Sequence, residues 1–140
     1  MMMRIERYFD LTTEIAEIRR EVFMEEQGIS FVDEFEGGEN TFVHFCLYCS
    51  NHLIGYARAI SESADLHIGR VAVRKMWRKQ GYGYILMKAA EEYGRENGCK
   101  TASLNAQIQA MGFYVQLGYN EVGDAFIEAG IEHKCMIKVL

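Results

Sequence analysis

The sequence contains no proline in its 140 residues, and its 13 glycines follow no repeat. Those two features exclude collagen-like, proline-rich and mucin-like chains. No apolar run approaches the roughly 18 residues that cross a bilayer, so no membrane partner is expected. The opening stretch Met1-Met2-Met3-Arg4-Ile5-Glu6-Arg7 reaches charge at once and lacks the apolar core of a secretory leader. A cytoplasmic location is the expectation. Lysine and arginine are missing from Glu21 through Ala57, a stretch that holds Glu21, Glu25, Glu26, Asp33, Glu34, Glu36 and Glu39. Cysteine is sparse as well, with four in all. Cys46 and Cys49 fall in a run of β-formers, where side chains three apart point to opposite faces and cannot chelate one ion. Reduced, mostly buried thiols are expected, and no metal.

Charge is distributed unevenly. Residues 1–66 carry 5 basic and 13 acidic side chains, and residues 67–140 carry 10 and 7. The formal net charge of -5 argues against a nucleic-acid partner, which needs a broad basic surface. Five bases nevertheless crowd into ten residues: Arg70, Arg74, Lys75, Arg78 and Lys79. So short a cluster suits one polyphosphate better than a duplex.

The length is that of one domain, residues 1–140, with no linker or internal repeat. Periodicity predicts a strand at Met3–Phe9, then a helix capped by Asp10 or Thr12 and ending near Gln27-Gly28. An acidic loop follows over Ile29–Asn40. Thr41–Cys49 and Leu53–Ser61 read as a hairpin, and Asp65–Val73 as the next strand. A helix spans about Gly81 to Asn97, a strand Thr101–Asn105, and a short helix Ala106–Leu117 with Phe113 and Leu117 in its core stripe. Tyr119–Val122 and Glu132–Val139 form a last pair joined through Ala129-Gly130. The class is α/β in the α+β sense. Only the late β-α-β segment permits parallel pairing, so the sheet is mixed and mostly antiparallel, about six to seven strands flanked by helices.

Chemistry concentrates in Val71-Ala72-Val73-Arg74-Lys75-Met76-Trp77-Arg78-Lys79-Gln80-Gly81-Tyr82-Gly83-Tyr84. A strand enters a basic, glycine-punctuated turn and then an amphipathic helix. Unpaired N–H groups at the helix start, the helix dipole and the glycines together make an anion site. No Gly-Lys-Ser/Thr follows, so the turn is not a P-loop, and a third glycine for a dinucleotide fingerprint is missing.

Arg78-x-x-Gly81-x-Gly83 matches the Q/R-x-x-G-x-G/A signature of the GCN5-related N-acetyltransferases (GNAT). Ala110-x-x-Phe113-Tyr114-x-x-Leu117-Gly118-Tyr119 resembles the second motif of that superfamily. The small ElaA-like branch is resembled through Arg19-x-x-Val22-Phe23-x-x-Glu26-Gln27, Ile68-Gly69-Arg70-Val71-x-Val73, Leu104-x-Ala106-Gln107 and Glu128-x-Gly130-Ile131-x-His133-x-x-Met136. The resemblance implies an acetyl-CoA-dependent N-acetyltransferase that works by direct transfer through a ternary complex. Acetyl-CoA would lie in a splay between the fourth and fifth strands. It would be held by the backbone of Val71, Ala72 and Val73 and by the turn Arg78, Lys79, Gln80, Gly81, Tyr82 and Gly83, with an amide from Asn105 or Gln107.

The resemblance also implies that Tyr114 protonates the departing thiolate. A phenol near pKa 10 facing a thiol near 8.5 makes that transfer uphill by about 2 kcal/mol, so it must be concerted with C–S cleavage or the phenolate must be stabilised. Glu25, Glu26, Gln27, Glu34 and His133 are the expected acceptor contacts. His133, His44 and the acidic group with Asp33 remain alternatives for the base. The acid-rich stretch suggests a small, cationic amine. The alternatives are an acyl-CoA-binding sensor without turnover and, less well supported, an unrelated nucleotide-binding domain. A homodimer is left open.

Overall fold

The computed structural model describes residues 2–140. Seven strands form one sheet in the order β1-β2-β3-β4-β5-β7-β6. They are β1 (Met3–Tyr8), β2 (Val43–Cys49), β3 (His52–Glu62), β4 (Asp65–Val73), β5 (Thr101–Gln107), β6 (Asn120–Glu128) and β7 (Ile131–Val139). Only β4 and β5 run parallel, connected through the helix α3 (Tyr82–Glu96) as the β-α-β pattern requires. Among the described residues no helix is long and apolar enough to cross a membrane.

Strand alternation divides the core between two layers. Phe45, Leu47 and Cys49 of β2 face α3 with Leu66, Ile68, Leu86 and Met87. Cys46 and Tyr48 face the other way, joining Ile15, Ile18, Val22, Tyr56 and Ala72 under the first helix. The CxxC cysteines therefore belong to opposite layers, and burial pushes the Cys46 thiol up to about 12. The first helix is α1 (Thr13–Arg19), capped by the Thr12 side chain and continued by a wider π-helical segment, Arg20–Glu26. The acidic loop holds one helical turn, α2 (Phe31–Glu34), capped by Ser30.

Three boundaries differ from expectation. β5 extends to Gln107, since Ala102, Leu104 and Ala106 alternate into the core, and α4 is only Met111–Gln116. Expected to end at Val122, β6 continues to Glu128 past a register shift between Val122 and Phe126. In α4 the expected stripe is altered: Tyr114 is buried beside Leu117, whereas Phe113 is half-exposed.

The opening at the sheet centre positions the site. β4 pairs with β5 only over Asp65–Ile68 and Thr101–Leu104, although both strands run on. Beyond that point β4 carries a bulge, where the register against β3 shifts between Tyr56 and Arg58. Arg70 sits in the bulge with φ +53°, a left-handed conformation that costs a non-glycine residue about 1–3 kcal/mol.

Candidate active site

Two cavities open where β4 and β5 part. One, of about 620 Å³, runs from Val71 and Val73 past Arg78, Lys79, Gly81 and Gly83 to Phe113 and Leu117 of α4. The other, of about 540 Å³, lies against the β5–β7 face and the α2 loop. Val71, Ala110 and Tyr114 line both.

The first cavity has the features of an anion cradle. Lys79 (φ +63°) and Gly81 (φ +87°) turn the chain sharply into α3, and Gly81 caps the helix without any side-chain hydrogen bond. The first N–H groups of a 15-residue helix are thus left for a ligand. Gly83 has a different constraint: its φ is not positive, but a Cβ would stand 3.1 Å from the Phe113 ring, which would have to give by a few tenths of an ångström. Together with the free edge of β4 past Ile68, these features fit the pyrophosphate and the extended amide arm of a CoA thioester.

The expected cofactor contacts divide. Val71, Val73, Arg78, Lys79, Gly81, Tyr82 and Gly83 line this cavity. Ala72 turns its side chain into the opposite layer, so any part it plays is through its backbone. Gln80 does not line the cavity; its amide contacts the Met76 carbonyl at 3.4 Å. Asn105 and Gln107 line the second cavity instead, because odd-numbered β5 positions face away from α3. Gln107 donates to Gln27 at 2.7 Å, closing that cavity toward the π-helical segment.

Tyr114 is 8% exposed, packed edge-on against Phe113 at 4.9 Å and Tyr119 at 6.1 Å. Burial pushes its phenol above the ordinary value, so it carries its proton throughout the physiological range.

The acidic stretch looks quite different once folded. Arg74 meets Glu21 and Arg78 meets Glu26, each at 2.6 Å. Arg19 has no exposed surface and donates to Glu34 at 2.7 Å and to Glu39 at 2.9 Å. Arg70 reaches Glu34 at 3.2 Å and Arg58 reaches Glu39 at 3.1 Å. Burial raises the Glu34 carboxyl and prevails there over Arg70, Arg19 and Arg58. At Glu39 burial is outweighed by the Arg19 hydrogen bond and the charges of Arg19 and Arg58, and the carboxyl is lowered.

These pairings revise the expected acceptor contacts. Glu34 has no exposed surface and is occupied by arginines, Glu26 is tied to the turn, and Glu25 is exposed and lines neither cavity. Gln27 and His133 do line the second cavity. The carboxylates that line it and are exposed are Asp33, Glu36, Glu62 and Glu128. His44 is removed from the base candidates: it is fully buried, its Nε2 contacts the Glu39 carbonyl at 2.8 Å, and its Nδ1 pairs with the Tyr56 hydroxyl. Sequence reasoning missed the structural role of Arg19 and Arg70, whose only signal was their place in the two branch patterns.

The acetyltransferase (GNAT) domain model matches residues 15–140. The uncharacterized protein YyaT of Bacillus subtilis is 37% identical over 128 residues, covering 89% of this chain and 86% of its own. Escherichia coli ElaA superposes with a TM-score of 0.83 at 25% identity, over 98% of this chain and 99% of its own. A Bacillus subtilis acetyltransferase in complex with CoA shares the fold, with a TM-score of 0.74 at 17% identity over 99% of both chains.

Proposed function

The chain belongs to the acetyltransferase (GNAT) family, with an ElaA-like relationship, and from its two cavities we propose that it transfers an acetyl group from acetyl-CoA to a small amine. The observation that carries this proposal is that the cavities meet at Val71, Ala110 and Tyr114. A thioester entering along the β4 edge from the Gly81 side and an amine entering from the Asp33 side would face each other there. No covalent enzyme intermediate is required, since both reactants can be held together.

The chain's residues divide the work accordingly. N–H groups of the Lys79–Gly83 turn hold the pyrophosphate, with Arg78 adding charge. Backbone groups of Val71–Val73 align the amide arm as an added strand would. The Tyr114 hydroxyl gives its proton to sulfur as the C–S bond breaks and is reprotonated from the nitrogen that has attacked. Burial raises its pKa and disfavours a free phenolate, which favours a transfer concerted with C–S cleavage.

The acceptor is a cationic amine. Asp33, Glu36, Glu62 and Glu128 line its cavity against two arginines, Arg58 and Arg70, which are already engaged by glutamates. Asp33 and Glu36 come from the acid-rich stretch on which the sequence-based expectation rests, and Glu62 and Glu128 join them. The test is thiol release from acetyl-CoA across a panel of cationic, neutral and anionic amines. Turnover with cationic members supports the proposal. CoA binding without turnover of any amine favours the non-catalytic sensor.

A further inference from the structure

We propose that His133 is the general base that takes the proton from the acceptor ammonium, with its reactive tautomer fixed by the backbone carbonyl of Ile131. This deepens the acetyl-transfer proposal and rests on it. His133 Nδ1 lies 2.7 Å from the Ile131 oxygen. A carbonyl oxygen can only accept, so Nδ1 carries the hydrogen and donates it, and in the neutral ring the lone pair is on Nε2. The ring is stacked on Phe126, with centroids 5.9 Å apart at an interplanar angle of 20°, which fixes its orientation. It is 7% exposed and lines the acceptor cavity with Tyr114.

The other histidines do not fit the task. Both ring nitrogens of His44 are engaged in the core, and His52 is exposed on the β2–β3 hairpin. His67 lines the same cavity, but its Nδ1 contacts Ser103 Oγ at 3.0 Å, where β4 and β5 are still paired. His133 lies opposite Gln107, at the end of β5 where the strands have parted. Four residues of strand, about 13 Å, separate Ser103 from Gln107. The histidine at the Tyr114 end is therefore His133.

The proton balance closes. His133 Nε2 takes one proton from R–NH₃⁺, leaving an amine whose lone pair forms the C–N bond. The C–S bond then breaks with the Tyr114 proton moving to sulfur, and the second nitrogen proton returns to Tyr114. The products are the amide, the free thiol and one proton, which His133 releases to solvent. Charged or titratable groups that share the cavity with the ring are Glu128 of β6, whose Oε2 is 3.8 Å from Nε2, Tyr114 of α4, His67 and Arg70 of β4, Arg58 and Glu62 of β3, and Asp33, Glu34 and Glu36 of the acidic loop; β5 offers the neutral Asn105 and Gln107.

The test has two arms. Long-range ¹H–¹⁵N correlation on the wild-type protein reads the His133 tautomer without any turnover. A hydrogen on Nδ1 is expected, and a neutral ring protonated on Nε2 overturns the assignment. In the second arm His133→Gln is assayed with the best amine from the panel. At pH 7 the rate falls by about 10²–10⁴, with CoA affinity by calorimetry unchanged. The deficit narrows as pH rises, because free amine increases about tenfold per unit below the ammonium's own pKa. A deficit constant across pH, or none at all, overturns the role while leaving the proposed reaction standing. Absence of turnover in the wild-type protein defeats the reaction itself.

Discussion

Arg78, in the turn that opens α3, donates from its terminal nitrogen to Glu26 at 2.6 Å, joining the β4–α3 connection to the π-helical segment. The guanidinium expected to meet a phosphate already has an anionic partner. Ligand and Glu26 therefore compete for one cation. The pair is substantially exposed, so it is worth at most about 1 kcal/mol. Glu26→Gln is accordingly expected to tighten CoA binding by up to about fivefold in calorimetry. Weaker binding would mean that Glu26 holds Arg78 in place for the ligand.

The two glycines of the turn are predicted to fail differently. Gly81→Val places a branched residue at φ +87°, straining the backbone by about 1–3 kcal/mol, and crowds the phosphate approach. Gly83→Val leaves φ in the helical range but drives its side chain into the Phe113 ring. Both should cost CoA affinity tenfold or more while the circular dichroism spectrum stays that of the folded protein. Only Gly83→Val should be partly rescued by Phe113→Leu. Wild-type affinity in either folded variant would remove the turn from the binding site.

Removing the Tyr114 hydroxyl is expected to act on chemistry alone. Tyr114→Phe keeps the ring packed on Tyr119 and should lower kcat by about 10²–10³, with acetyl-CoA affinity largely intact. Pre-steady-state measurement of thiol release distinguishes this from slow product release. A kcat within twofold of the parent, with chemistry rate-limiting, would make Tyr114 a packing residue only.

For the acceptor wall, the triple variant Asp33→Asn, Glu36→Gln, Glu62→Gln should raise KM for a cationic amine several-fold and leave the acetyl-CoA KM unmoved. The effect should shrink with added salt, because exposed charges are screened beyond about 8 Å at physiological ionic strength. An acceptor KM that ignores both the substitutions and salt would refute the electrostatic account.

His44 makes stability depend on pH. Burial lowers its pKa below the ordinary 6.5, against the contrary effects of the Glu39 carbonyl and carboxylate. As pH falls below about 6.5 the unfolded chain takes up a proton that the folded chain refuses, so stability is lost. Thermal melts from pH 7.5 to 5 should show Tm declining. His44→Gln, less stable at pH 7.5, should lose less over that interval. Equal losses in the two proteins would assign the acid sensitivity elsewhere.

Legibility from sequence followed the physics of each feature. The Arg78–Gly83 turn was readable because glycine spacing, clustered bases and a following helix are all local. Tyr114 was readable as a motif residue, but its burial was not: a six-residue helix is too short for periodicity to rank Tyr114 against Phe113. The full length of β6 escaped because its residues are nearly all exposed and show no alternation. β5 was cut short because Ala106 and Ala110 stand four apart and mimic a helical stripe. The largest misreading concerned charge. Glu26, Glu34 and Glu39 have no nearby base in the chain, and Glu21 pairs with the distant Arg74 although Arg20 precedes it; each of the four is met by an arginine from Arg19, Arg58, Arg70, Arg74 or Arg78. Only the hairpins and crossovers bring those partners together.

The short β4–β5 ladder is also the sheet's shortest seam. Four residue pairs, Asp65–Ile68 with Thr101–Leu104, fasten β1–β4 to β5–β7–β6, and the seam is open at its other end. A seam fastened at one end is where a sheet is most compliant. A thioester arm lying along β4 would serve as a removable splint, bracing the open end while it is present. Co-substrate at a hundred times its Kd would then add about 2.7 kcal/mol to folding. If acetyl-CoA is the co-substrate, as proposed, its cellular supply would thereby help to set the stability of the fold.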